Sequence, residues 1–129
     1  MKKLTLISLL TIVLLYAFAL VHEPNPLLGK WENVRTYQGV PWTLMADFKA
    51  NGTFTGFINK KVFGSGLYKL KHDTMYFYDP TCDIDYGGTY KIQYFGRDSL
   101  KFHVIQDTCT GRREGTNGFL FVRVKQSAK

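Results

Sequence analysis

The chain has 129 residues with a formal charge of +7, 16% aromatic residues and two cysteines. That length bounds it to a single domain. Its basic residues stand singly on segments that also carry Asp and Glu, so the cationic, aromatic-interleaved patch that nucleic acids require is missing, and the charge reads as solubility.

Met1-Lys2-Lys3, the apolar run Leu4 to Tyr16 and Ala17-Phe18-Ala19 have the three parts of an export signal over residues 1–19. The alternative is an uncleaved anchor over residues 4–21, at the lower edge of the ~17–25 residues that span a bilayer. Thr5, Ser8, Thr11 and the small-residue site favour cleavage. Loss of Lys2 and Lys3 would leave the mature chain at +5. Exported, periplasmic or secreted protein is the expectation, with membrane attachment only through that first segment. Residues 20–27 read as a Pro-containing linker and 28–126 as the domain.

After the linker, short aromatic and β-branched runs alternate with Gly, Asn, Asp and Pro, and almost nothing reads as a long helix. About eight strands are expected, over 29–37, 42–49, 53–59, 63–70, 74–79, 87–95, 99–106 and 119–125. Period-two alternation is clearest where Tyr90, Ile92 and Tyr94, then Leu100, Phe102 and Val104, mark one apolar face. Asn51-Gly52, Lys71-His72-Asp73 and Gly96-Arg97-Asp98 are tight polar connections. In an up-and-down arrangement these turns share one end. The longest connections, Asp79 to Tyr86 and Asp107 to Gly118, then share the other.

The expected fold is therefore all-β, an eight-stranded antiparallel up-and-down barrel. Closure would bring Trp31 of the first strand beside Arg123 of the last, so that the guanidinium covers the indole. Cys82 and Cys109 fall in the two longest loops, at one mouth, which agrees with a single disulfide in an oxidising compartment. A metal site would need further ligands, and His22, His72 and His103 have no chelating spacing with either cysteine. Neither metal nor cofactor is expected.

Gly29-Lys30-Trp31 matches the G-x-W signature of the lipocalin-like (calycin) superfamily, and Arg123 matches the Arg of its final strand. With Gly88-Thr89-Tyr90, Asp98-Ser99-Leu100-Lys101-Phe102 and Asp107-Thr108-Cys109-Thr110-Gly111-Arg112, the chain resembles small exported bacterial lipocalin-like domains. The resemblance implies a barrel with structural roles for Gly29, Trp31 and Arg123. The T-D-Y motif of larger relatives has no good match.

An eight-stranded barrel holds either packed side chains or one small ligand. The first expectation is a monomer that binds a small hydrophobic or amphipathic molecule non-covalently. Tyr68, Tyr90, Tyr94 and Phe102 would face it from the interior, and Arg112 at the mouth would meet a carboxylate or phosphate. Arg112 has a second reading, an Arg–Asp network that stiffens the disulfide-linked loops. The alternative function is a filled barrel acting as a protein-binding or inhibitor module of the cell envelope. No Ser-His-Asp or Cys-His pairing and no phosphate-cradling Gly loop suggests an enzyme.

Overall fold

The computed structural model describes residues 24–125; the expected signal or anchor, the first part of the linker and the domain's last residue, Gln126, lie outside them. Eight strands follow in order: β1 (Gly29–Tyr37), β2 (Val40–Phe48), β3 (Thr53–Ile58), β4 (Lys61–Lys71), β5 (Thr74–Tyr78), β6 (Gly88–Phe95), β7 (Ser99–Gln106) and β8 (Leu120–Arg123). One helix, α1 (Thr110–Thr116), precedes β8. Each strand pairs antiparallel with the next, and β8 returns to β1, giving a closed up-and-down barrel. The fold is the one expected; α1 lies in a segment read as loop.

The three tight turns do share one end. At Asn51-Gly52 only the glycine takes positive φ, 80°. Asn51 instead accepts from the Thr53 amide at 3.1 Å, which fixes the start of β3. This end is the closed base, and residues 24–28 lie across it. Asn25 donates to the Tyr68 hydroxyl at 3.1 Å, and Leu27 is fully buried.

Closure rests on a short seam in which Trp31 stands opposite Arg123 and Glu32 opposite Val122. The buried indole donates to Leu27 O at 2.8 Å. The Arg123 guanidinium lies 4.1 Å from the indole ring centroid. It donates to Leu28 O at 2.7 Å, Pro26 O at 2.9 Å and Arg97 O at 3.1 Å. One planar fork thus covers the indole and ties the incoming chain, the β6–β7 turn and β8 together. Gly29 opens β1 at φ 102°, a conformation that side chains resist, directly below Arg123 Nη1.

Inward positions fill the lower barrel with rings. Phe48 meets Tyr68 edge-on at 5.0 Å, Phe54 stacks on Phe77 at 4.2 Å, and Phe102 meets Phe121 edge-on at 5.4 Å. Such pairs add to the burial energy of each ring. Ile92 and Leu100, read as inward from alternation, are buried in the same core.

Replacing Arg123 with Met removes the cation–π contact (~0.5–2 kcal/mol) and three carbonyl hydrogen bonds of about 1 kcal/mol each. The expected loss is about 2–4 kcal/mol in urea unfolding followed by tryptophan fluorescence. A loss below ~0.5 kcal/mol would show that the seam closes without the fork.

Candidate functional site

The mouth half of the barrel is hollow, and register explains why. Ala46 stands opposite Gly56, and Gly56 opposite Gly64, so three adjacent strands carry their smallest residues at one level. One level lower, Phe48 faces Phe54 and the rings meet. The space left by the small row is a cavity of about 300 Å³. Leu44, Ile58 and Trp42 wall it toward the mouth, Met75, Phe102 and Phe121 form its floor, and α1 flanks it with Gly111, Arg112, Gly115 and Thr116.

A β-bulge gives the cavity a partial cover. Phe57 pairs with Val62 and Gly56 with Gly64, leaving Phe63 as the extra residue of β4. The bulge turns the Phe63 ring over Gly56, where any Cβ would come within 2.6 Å of it. Phe63 is 49% exposed and also lines the cavity, so it stands between the interior and solvent.

The polar wall is a buried charge cluster. Arg112 grips Asp107 with two parallel bonds, Nε to Oδ2 at 2.7 Å and Nη2 to Oδ1 at 2.8 Å. It also donates from Nη1 to Asp79 Oδ2 at 3.1 Å and from Nη2 to Tyr86 O at 3.1 Å. Tyr90 donates its hydroxyl to Asp107, and the Cys109 amide donates to Asp107 Oδ1 at 2.8 Å. Gly88 is required here, because a Cβ would collide with the Asp107 carboxylate and the Tyr90 ring. The Arg–Asp network across the two long loops is present.

Burial and environment set the titration of these groups. Burial pushes the Asp107 carboxyl up, but hydrogen bonds from Arg112, Tyr90 and the Cys109 amide together hold it below the usual carboxylate range. Burial, then the Asp107 carboxylate, raises the Tyr90 hydroxyl. Bonding to Asp107 raises Arg112 despite its burial.

The disulfide joins Cys82 to Cys109 across a Cα separation of 5.8 Å. It fixes the β5–β6 loop to the start of α1, beside the Arg112–Asp79 bridge between the same segments. Covalent and ionic ties therefore hold one wall together.

Of the residues expected to meet a ligand, Phe102 and Arg112 line the cavity. Tyr90 lies below the cluster as a donor to Asp107. Tyr68 sits at the base, donating to Lys49 O at 2.8 Å. Tyr94 is also at the base, beside Arg97 and Arg123. Burial pushes its unpartnered hydroxyl up to about 12. His103, on the polar phase of β7, is exposed and hydrogen-bonds Gln93 at 3.0 Å. Sequence reading missed the small-residue row, which cross-strand register reveals, and Asp79's place on the cavity wall, which its bond to Arg112 sets. Among the described residues no His, Cys, Asp and Glu side chains group as a metal site.

No protein-family model and no curated protein matches the sequence. The closed antiparallel barrel, with Trp31 under Arg123, fits a lipocalin-like fold.

Removing Arg112 leaves two carboxylates buried without their cation. Arg112→Met is expected to cost about 3–5 kcal/mol in urea unfolding at neutral pH. Because the folded-state pKa of Asp107 is depressed, the unfolded chain takes up its proton first as pH falls. Its contribution is complete above the unfolded value of about 4 and is lost as pH drops through the folded value. Melting temperature should fall accordingly in acid, and Asp107→Asn should flatten that fall.

Proposed function

We propose that this chain is an exported, lipocalin-like binding module that holds a small apolar or amphipathic molecule non-covalently in the mouth half of its barrel, without catalysis. The observation that carries this reading is the Ala46–Gly56–Gly64 row. A sequence filling its interior with rings elsewhere leaves three neighbouring strands bare at one level. The resulting cavity is at the lower end of the ~300–1,000 Å³ typical of small-molecule sites and has the expected apolar lining. Hollowness favours a ligand carrier over the filled, protein-binding barrel. A monomer suits a closed sheet, which offers no free edge for pairing.

The disulfide supports export, since such bonds persist in oxidising compartments. Among the described residues no helix is long and apolar enough to cross a membrane. Tyr37, Val40 and Val62, exposed at the tips of the mouth hairpins, give an apolar approach past Phe63.

A Cβ at Gly64 would meet nothing nearer than Thr81 Oγ1 at 3.9 Å, so a larger side chain there can grow into the cavity. Gly64→Leu should weaken binding of the neutral fluorophore N-phenylnaphthylamine at least tenfold without lowering the melting temperature. Equal affinity in the variant, or no binding by the wild type, would overturn the proposal. Replacing both cysteines with Ser should cost about 3–4 kcal/mol on the chain-entropy model, read by urea unfolding, and weaken the same probe by loosening the α1 wall.

A further inference from the structure

The polar wall of the cavity has a sign. Arg112 contributes one positive charge, and Asp79 and Asp107 contribute one negative charge each, so these three side chains sum to one negative charge; Arg113, which donates to Asp107 O at 3.2 Å, does not line the cavity. Asp107, its side chain fully buried, is occupied by Arg112, Tyr90 and the Cys109 amide and does not line the cavity. Asp79 does line it. Its Oδ2 accepts from Arg112 at 3.1 Å and its Oδ1 from the Thr81 amide at 2.8 Å, which leaves each oxygen a further lone pair.

Arg112 is nearly spent as a donor. Four of its five N–H groups are used by Asp107, Asp79 and Tyr86 O. The remaining proton is on Nη1, the nitrogen already 3.1 Å from Asp79. An anionic head reaching for it would therefore press against the Asp79 carboxylate. Among the described residues no other cation lines the cavity: Lys60 and Lys61 are exposed, and the Arg35 guanidinium packs 3.4 Å from the Phe119 ring centroid, donating to Gly115 O. A carboxylate or phosphate head thus meets no free cationic side chain here among the described residues, unlike the expectation drawn from Arg112 in the sequence.

We infer that the cavity selects a small apolar molecule with a hydrogen-bond-donating, cationic head, such as a primary ammonium. Asp79 accepts that head beside Thr81, whose amide bonds the same carboxylate, and the aliphatic or aromatic body lies over Ala46, Gly56 and Gly64. Arg112 acts as a positioning residue, holding Asp79 in place without meeting the ligand's charge. This inference rests on the reading of the cavity as a ligand site.

The test compares octylamine, octanol and octanoate by competition against N-phenylnaphthylamine in the full chain at neutral pH. Octylamine should compete at least tenfold better than octanol, and octanoate worst. Asp79→Asn should remove the amine's advantage and leave octanol unchanged; the wild-type series decides the matter should that variant fail to fold. If octanol competes and octylamine is no better, or octanoate is best, the ammonium site is overturned while the ligand cavity stands. If the fluorophore itself fails to bind, both readings fall.

Discussion

The Trp31–Arg123 pair is the constraint on which the barrel depends. A sheet of eight strands has two edges, and only the β1–β8 seam removes them. That seam is short, with two residue pairs. It therefore needs reinforcement beyond ladder hydrogen bonds, and the guanidinium fork supplies it by binding three carbonyls while covering an indole. Asn33 adds a further tie higher up, donating to Leu120 O at 2.7 Å. Since α1 and β8 follow one another, closing the seam also fixes where the helix lies over the cavity.

Closure alone would permit a barrel packed with rings throughout. Two local departures from that packing create the candidate site. The first is the row of small residues on β2, β3 and β4, which withholds side-chain volume at one level. The second is the bulge at Phe63, which sends one ring across the space rather than into it. Opposite these bare strands stands a wall stiffened by the disulfide and by Arg112. A bare, uncharged side is thus faced by a cross-linked one, and of the cavity's walls only the cross-linked one carries charge.

Strand positions, their order and the common end of the tight turns were legible in the sequence. Alternation and turn chemistry are local, and they survive in the fold almost residue for residue. Trp31 and Arg123 were legible as partners because closure follows from strand count. The helix was not, because Thr110–Thr116 contains two glycines and no apolar stripe; its place is set by long-range ties at Cys109 and Arg112. The cavity was also hidden. A glycine inside a strand looks like weakness in one dimension, and only cross-strand register shows three such positions side by side. Tyr68, Tyr90 and Tyr94 face inward as alternation implies, yet alternation has no coordinate along the barrel axis. Two of them therefore lie below the space they were expected to line, and the third underpins its charged wall.

The path of residues 24–28 gives the molecule a direction. They cross the closed pole, held there by Asn25, Leu27 and the carbonyls of Pro26 and Leu28. Pro24 accordingly stands at the sealed pole, opposite the open one. A tether at that point, natural or engineered, would present the opening outward like a cup standing on its foot.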